Sequence, residues 1–385
     1  MISFVYSDQF LRALDNLNQG ELHLTLPNGQ SYQFGNHHGD VDARLVIHDW
    51  RAVGKIVTKG SIGLAECYRD GLVDTDDLTK VIRLAIQNTK PLASIYYGNR
   101  LTRVLSKILY FLRANTLKGS KRNIPAHYDL GNDFYSLWLD PSMTYSAALF
   151  NQPEESLQLA QQNKYDRIIN QLGNTDRLLE IGCGWGGFAE RFATKVGTDY
   201  KGITLSPSQQ QYAQQRINNK SIFSLEDYRH QTGKYDSIVS IEMFEAVGER
   251  YWPTYFQKLK ALLADRGTAI IQTITINDDN FVRYRESADM IRSFIFPGGM
   301  LPAPNRFKYL AQQSGLQVHD SFAFGQHYAK TLHHWLNNFD AQKKNLEALG
   351  FEQDFMRMWH FYLAYCIAGF MESRVNVYQF ELHHD

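Results

Sequence analysis

The stretch that decides the fold is Leu178-Leu179-Glu180-Ile181-Gly182-Cys183-Gly184-Trp185-Gly186-Gly187. An apolar run followed by closely spaced glycines is typical of a buried strand that ends in a tight turn and opens into a helix. At such a turn the backbone approaches a ligand closely, and the free amides at the helix start face that ligand. The G-x-G-x-G-G spacing favours S-adenosylmethionine, which has no diphosphate, over a dinucleotide or a purely structural turn.

The overall composition is balanced and indicates no general attraction to nucleic acid. Lys plus Arg and Asp plus Glu number 40 each in 385 residues, a length that suits two domains. Three cysteines without a spaced framework predict a cytoplasmic protein with no disulfides. The sequence contains neither a basic and apolar leader nor an apolar run of about eighteen residues, so we expect membrane contact to be peripheral.

A composition boundary lies in the first third of the chain. Between Leu78 and Tyr128 there is no Asp or Glu, while Lys and Arg recur. Within 101–112, apolar residues repeat at helical spacing and basic residues occupy another face. Such a segment either lies on the anionic inner face of a membrane or packs as an interdomain helix. We predict an N-terminal lipid- or membrane-associating domain over 1–110, a linker over 111–124 and a larger domain over 125–385.

The larger domain alternates between strand and helix patterns, which predicts a mostly parallel sheet. In the smaller domain, a hairpin is expected over 22–34, where Asn28-Gly29 separates two alternating runs. The strands expected in the larger domain are 177–183, 200–205, 221–225, 237–241 and 268–276, with helices over 187–196 and 208–217 and an antiparallel edge pair formed by 316–324 and 375–382.

The cofactor candidates follow from the rule that ligands of an open α/β sheet bind beyond the carboxyl ends of its strands. A sulfonium also attracts carboxylates and aromatic faces, although ordinary packing is the alternative for each aromatic side chain. The candidates are Tyr145, Ser146, Glu180, Gly182, Gly184, Trp185, Thr204, Leu205, Gln209, Asp227 and Tyr228.

Five further stretches carry unusual residues: HYDLGNDFY at 127–135, LDPSMTYS at 139–146, SIEMFEAVG at 240–248, FPGGMLP at 296–302 and HYAKTL at 327–332. In this order they resemble the cyclopropane-fatty-acyl-phospholipid synthase family, which includes the mycolic acid cyclopropane synthases. The similarity runs from about residue 127 to 382, and the N-terminal third resembles only the larger, phospholipid-acting members. The resemblance implies an α/β, class I (Rossmann-like) methyltransferase fold with a seven-stranded, mostly parallel sheet and a smaller N-terminal α+β domain.

The resemblance also implies an enzyme that moves the methyl(ene) carbon of S-adenosylmethionine to the cis double bond of an unsaturated phospholipid acyl chain. The alkene attacks the methyl carbon, and loss of a proton from the new methyl closes a cyclopropane ring. Such a site must be apolar, dry and supplied with one base. In the family this base is a bound bicarbonate. The matching positions here are Glu245, Tyr328, Ile241 and Ile274, with Gln272 in place of a histidine and Ala147 in place of a cysteine.

These two departures weaken the expected bicarbonate site, because Ala147 can donate only from its backbone. Two other outcomes therefore stay open: the same fold making a methyl-branched or methylene chain, and a lipid-binding protein without turnover. Cys366 matches a cysteine often regarded as active in the family, but its apolar helical surroundings favour a structural role. The expected partner is an unsaturated phospholipid at the inner face of the membrane. Neither nucleic acid nor a metal is expected, and the additional N-terminal domain would suit a homodimer.

Overall fold

The computed structural model of the protein describes residues 2–36, 39–96, 130–219, 222–287 and 289–385. The chain divides into two compact units. The N-terminal unit consists of the described part of Met1–Leu112 with Val282–Pro297 and Phe339–Arg374, and the sheet unit consists of the described part of Arg113–Phe281 with Gly298–Asn338 and Val375–Asp385.

The strands of the described residues are β1 Glu21–Thr25, β2 Ser31–Gly35, β3 Asp42–Ile47, β4 Val73–Asp74, β5 Arg177–Ile181, β6 Asp199–Thr204, β7 Phe223–Leu225, β8 Tyr235–Ile241, β9 Leu263–Ile276, β10 Leu316–Ala323 and β11 Val375–His384. The α-helices are α1 Ile2–Leu14, α2 Arg51–Lys59, α3 Ser61–Arg69, α4 Leu78–Gln87, α5 Ala93–Tyr96, α6 Asn132–Ser136, α7 Leu157–Leu172, α8 Gly187–Lys195, α9 Pro207–Ile217, α10 Trp252–Leu262, α11 Asp278–Glu286, α12 Pro304–Gln313, α13 Gly325–Ala341, α14 Lys343–Ala348 and α15 Gln353–Met371. Short 3₁₀ turns occupy Tyr228–His230, Phe244–Ala246 and Glu249–Tyr251, and a π-helical turn occupies Ile291–Ile295.

The sheet unit is built on seven strands in the order β10-β11-β9-β8-β5-β6-β7. The five strands from β5 to β9 run parallel, and β11 and β10 add an antiparallel pair at one edge. This confirms the expected seven-stranded, mostly parallel sheet. Chain order reverses between β5 and β8, so a crevice for a ligand is expected beyond the carboxyl ends of these two strands.

The predicted elements of the sheet unit are observed with small shifts of their ends. Helix α9 begins at Pro207, because proline is compatible with the first helical position, and Ser206 caps it by accepting from the Gln209 amide (3.3 Å). The strand expected over 221–225 is observed as β7, residue 221 lying outside the described residues. The strand expected over 268–276 is observed as the longer β9.

The N-terminal unit contains a second sheet in the order β2-β1-β3-β4. Strands β1 and β2 pair antiparallel around Asn28-Gly29, with Gly29 at a φ of 80° that suits glycine, so the predicted hairpin is confirmed. Strand β3 runs parallel to β1, and helices α1 to α5 contribute to the same hydrophobic core. The basic pattern of 101–112 and the linker of 111–124 lie outside the described residues.

Helix α15 belongs to the N-terminal unit although it lies late in the sequence. It packs against α3 and α4, and its Arg357 donates to Asp74 (2.7 Å) while its guanidinium stacks 4.1 Å from the Tyr68 ring centroid. The compact units therefore differ from the continuous 125–385 domain of the prediction, because the apolar residues of α15 are buried by N-terminal helices. No helix in the described part of the chain is long and apolar enough to cross a membrane.

Asn88 joins the loop before β1 to the end of α4. Its fully buried side chain accepts from the amides of Asn18 (2.9 Å) and Gln19 (3.1 Å) and donates to the carbonyls of Gln19 (2.8 Å) and Leu84 (2.9 Å).

We expect Asn88→Ala to lower the free energy of unfolding by about 2 kcal/mol in urea titrations, since buried backbone groups lose their partners. Gln33→Ala on the exposed edge strand should cost less than about 0.5 kcal/mol; equal losses would contradict this explanation.

Candidate active site

The glycine turn after β5 is held to the neighbouring strand by its backbone. The amides of Gly182 (2.9 Å) and Cys183 (3.0 Å) both donate to the carbonyl of Ile203 at the end of β6. Gly184 has a φ of 50°, and a Cβ added there would meet no atom within 4 Å. At Gly182, by contrast, an added Cβ would lie 3.1 Å from Met243. The open space above Gly184, beside free amides at the start of α8, fits a nucleoside ligand.

The ends of β6 and β7 carry the next group of cofactor candidates. Thr204 donates from its hydroxyl to Gln209 (2.8 Å), and Leu205 beside it is partly exposed. Asp227 caps the following 3₁₀ turn and is paired in two places with the Arg229 guanidinium (2.8 and 2.6 Å). Tyr228 is buried, with its ring packed against Tyr255. The structure thus brings these candidates to the same sheet edge as the turn, and their contact with a cofactor stays a prediction.

Glu180, expected beside the sulfonium, is a buried side chain held by a neighbouring hydroxyl. Its side chain is 2% exposed and accepts a hydrogen bond from the Tyr200 hydroxyl. Burial raises the pKa of Glu180 to about 8, so the carboxyl is mainly neutral at pH 7. Tyr200, which the sequence analysis did not select, is the side chain that holds it.

A series of aromatic side chains runs from Trp185 in the glycine turn to Tyr328 on α13. We call Tyr135, Tyr145, Trp185, Tyr328 and Trp335 the aromatic cluster. Ring centroids are 5.0 Å apart for Tyr135 and Trp185, 5.5 Å for Tyr135 and Tyr145, 5.2 Å for Tyr145 and Trp335, and 6.1 Å for Tyr328 and Trp335. These ring faces can stabilise a cation and exclude water. Tyr145 and Trp185 were predicted. Tyr135, which ends the stretch 127–135, was not selected, and nothing in the local sequence of Trp335 distinguishes it from a core aromatic residue.

Glu242, at the carboxyl end of β8, accepts three hydrogen bonds. The donors are the backbone amide of Ala147 (2.9 Å), the side-chain amide of Gln272 (2.8 Å) and the hydroxyl of Tyr328 (2.6 Å). An ionised carboxylate, which only accepts, suits three donors. Glu242 lies in the motif at 240–248, but the sequence analysis did not select it as a site residue. The signal was present, because an acid directly after a buried strand lies at the ligand-binding edge.

Glu245, three residues after Glu242, has different contacts from Glu242. Its Oε1 accepts from the amide of Ile274, while its buried Oε2 has no partner among the described residues. Burial, reinforced by the negative charge of Glu242, raises the pKa of Glu245 to about 8. The Tyr328 hydroxyl donates to Glu242, and the roles of Glu245 and Tyr328 in organising the base stay predictions.

Further polar residues hold this arrangement in place. Gln379 on β11 donates to the Gln272 oxygen (3.0 Å), which turns the Gln272 amide nitrogen toward Glu242, and Arg167 on α7 donates to Gln379 (2.8 Å). Lys164, fully buried on α7, donates to the Ser146 hydroxyl (2.7 Å). Burial lowers the pKa of Lys164 to about 7.

The bicarbonate site implied by the resemblance does not fit these residues. Its donors at positions 147, 272 and 328 are already bonded to the Glu242 carboxylate. A second anion placed among them would lie against that carboxylate without a free donor from this set, and like charges in a buried site are strongly unfavourable. Ile241 ends β8 beside Gln272 on β9, and Ile274 supplies only its backbone amide to Glu245.

Cys366 lies on α15, in the N-terminal unit, whereas Glu242, Glu245 and Tyr328 belong to the sheet unit. It is flanked by buried apolar residues of its helix, and burial raises the pKa of its thiol, which disfavours the thiolate. These observations support a structural role for Cys366.

Glu245→Gln should change the pH dependence of stability. The folded state keeps the Glu245 proton up to about pH 8, whereas the unfolded carboxyl releases it near 4.5. Between these values the folded protein binds more protons, so its stability falls as pH rises, by up to about 1.4 kcal/mol per pH unit for one group. We expect wild type and variant to be similar in urea unfolding at pH 4.5 and the variant to be the more stable at pH 8. A stability difference that is the same at both pH values would contradict this.

The strand order, the glycine turn and the aromatic and acidic side chains beyond β5 and β8 define a class I S-adenosylmethionine-dependent methyltransferase. The chain belongs to the mycolic acid cyclopropane synthetase family, whose model matches residues 115–380. It is therefore an enzyme of the cyclopropane synthase type that uses S-adenosylmethionine.

Two relatives match nearly the whole chain. The tuberculostearic acid methyltransferase UfaA1 of Mycobacterium tuberculosis is 35% identical over 93% of this chain and 88% of its own length. The cyclopropane-fatty-acyl-phospholipid synthase of Escherichia coli is 32% identical over 92% of this chain and 94% of its own length. Among solved structures, mycolic acid cyclopropane synthase CmaA1 complexed with SAH and CTAB is 33% identical with a TM-score of 0.62, covering 68% of this chain and 97% of that one.

Proposed function

We propose that the protein transfers the methyl carbon of S-adenosylmethionine to the cis double bond of an unsaturated phospholipid acyl chain, forming a cyclopropane. The observation that carries this proposal is the combination of an open glycine turn with an aromatic cluster that extends to the acid at the end of β8. A cationic centre on the acyl chain needs ring faces and a base, and both are present. The Escherichia coli relative, whose name states a phospholipid product, supports this substrate.

The glycine turn, the aromatic cluster and the end of β8 have separate roles in the proposed reaction. The backbone around Gly182 and Gly184 would hold S-adenosylmethionine, which supplies an electrophilic methyl carbon when bound. The aromatic cluster excludes water and stabilises positive charge on the chain, an effect of about 0.5–2 kcal/mol for each cation over a ring. The acid-containing end of β8 receives the proton that the alkylated chain loses.

A second product is favoured by a specific observation. Positions 147 and 272 lack the cysteine and histidine of the family pattern, so the base differs in its surroundings. After a hydride shift along the chain, removal of a proton from the new methyl leaves a methylene branch instead of a ring. The relative named as a tuberculostearic acid methyltransferase supports this alternative.

The test is methyl transfer from radiolabelled S-adenosylmethionine to vesicles of an unsaturated phospholipid, with the saturated phospholipid of the same headgroup as the control. We expect label only in the unsaturated lipid. Label absent from both, or equal in both, would refute the proposal. Ozonolysis then separates the products, because it cleaves a methylene-bearing chain and leaves a cyclopropane intact.

We also propose that the enzyme reaches its substrate by peripheral contact with the inner face of the membrane. The support is the acid-free, basic composition between residues 78 and 128. Binding to anionic vesicles should weaken as salt rises, since screening reduces surface electrostatics. Binding that is equal on neutral and anionic vesicles would contradict this proposal.

A further inference from the structure

The Glu242 carboxylate occupies the centre of a set of three donors. Ala147, Gln272 and Tyr328 come from three separate parts of the sheet unit, and their hydrogen bonds of 2.9, 2.8 and 2.6 Å all end on this one carboxylate. Gln272 is in turn oriented by Gln379 (3.0 Å). The residue is partly exposed, so a ligand can reach it. A carboxylate placed in this way has the charge, the shape and the hydrogen bonds that a bound bicarbonate would have.

The backbone at Glu242 is strained. Its φ is 51°, in the left-handed region, and its amide donates to the Gln272 carbonyl (2.8 Å). A residue other than glycine in this region costs on the order of 1 kcal/mol or more and persists mainly where surrounding structure enforces it, often at functional sites. In this conformation the side chain reaches all three donors.

We propose that the carboxylate of Glu242 is itself the base of the reaction and takes the place of bicarbonate. This inference rests on the proposed function. The π electrons of the acyl-chain double bond form the new carbon–carbon bond, and the sulfur–carbon bond breaks with its electron pair remaining on sulfur. A Glu242 oxygen then accepts a proton from the new methyl group, and the released C–H electron pair closes the ring. If a hydride shift has first moved the positive charge to the carbon that carries the methyl, the same electron pair forms the methylene double bond.

Neighbouring groups favour the ionised form of Glu242. Its hydrogen bonds from Tyr328, Ala147 and Gln272 each lower its pKa. The buried Lys164 also favours the charged form of Glu242. Burial raises the pKa of Glu242, which makes the carboxylate a stronger base than an exposed one.

The test compares bicarbonate dependence in wild type and Glu242→Gly. In buffer depleted of bicarbonate, wild-type turnover should change less than about twofold, while Glu242→Gly should lose about 1000-fold, the range typical of a general base. Glycine suits the φ of 51°, so the variant keeps its backbone and opens a space lined by the three donors. Added bicarbonate should then restore turnover of Glu242→Gly by at least about tenfold.

A readout other than turnover is the binding of ¹³C-bicarbonate by NMR, expected for Glu242→Gly and not for wild type. Glu242→Gln should be inactive and not restored, since the amide fills the space. Asn218→Gly, which relieves a φ of 53° at the exposed end of α9, is the matched control and should keep full turnover.

Bicarbonate dependence of wild type, or its binding to wild type, would overturn the inference. If Glu242→Gly does not fold, wild-type independence of bicarbonate together with an inactive, folded Glu242→Gln supports the inference, and an active Glu242→Gln overturns it. If wild type transfers no methyl to lipid at all, the proposed function has failed. Glu242 is then not the base of a reaction, even if Glu242→Gly binds bicarbonate and wild type does not.

Discussion

Gly184→Leu is expected to fold and to lose about 1000-fold in affinity for S-adenosylmethionine, equivalent to about 4 kcal/mol. A Cβ at this position meets no protein atom, so the added side chain enters the space reserved for the ligand instead of disturbing the core. The φ of 50° costs about 1–2 kcal/mol of stability for a non-glycine residue. Calorimetric titration with S-adenosylhomocysteine measures the affinity, and thermal unfolding measures the stability.

The matched control is Gly173→Leu. Gly173 follows α7 with a φ of 64° and a ψ of −142°, and an added Cβ there also meets no atom within 4 Å, so the variant introduces backbone strain in the same unit while the turn is untouched. Full affinity in Gly173→Leu with lost affinity in Gly184→Leu supports the assignment of the turn. Unchanged affinity in Gly184→Leu would show that the cofactor binds elsewhere.

Tyr328→Phe is expected to lower turnover about 100-fold while leaving affinity for S-adenosylmethionine within about twofold. The change removes a 2.6 Å hydrogen bond to Glu242 and keeps the ring that packs against Trp335. A hydrogen bond to a charged group contributes about 1.5–3 kcal/mol, and each 1.4 kcal/mol is about tenfold in rate. The measurements are steady-state kinetics and calorimetry.

The pH profile gives Tyr328→Phe a second readout. The Tyr328 hydrogen bond lowers the pKa of Glu242, so its loss should raise that pKa and move the acidic limb of kcat/KM to higher pH. Tyr309→Phe, at a tyrosine that is 51% exposed on α12, is the control and should change neither rate nor profile. An unshifted limb in Tyr328→Phe, or an equal loss of turnover and cofactor affinity, would contradict the assignment.

The sheet and its glycine turn could be predicted because their signals are local. An apolar strand, a run of glycines and a helix starting at Pro207 each depend on neighbours within a few residues. The position of α15 could not be read in this way. Its apolar residues indicate burial but not the partner, and the helices that bury them lie in the first hundred residues of the chain.

The same limit applies to the acids of the active site. The family pattern selected Glu245, Tyr328, Gln272 and Ala147, and the structure brings all four close to one another. Which carboxylate receives the hydrogen bonds depends on a left-handed backbone at Glu242 and on side chains far apart in sequence. No spacing rule encodes such a conformation, so the sequence could indicate that Glu242 lies near the ligand-binding edge, but not that it accepts all three hydrogen bonds.

The support that Gln379 gives to Gln272 makes the site depend on strand pairing near the sheet edge. Strand β11, which carries Gln379, lies between β9 and β10, and its Gln379 holds the amide that faces Glu242. A change that separates β11 from β9 would therefore release this amide, even where the residues around Glu242 themselves are unaltered.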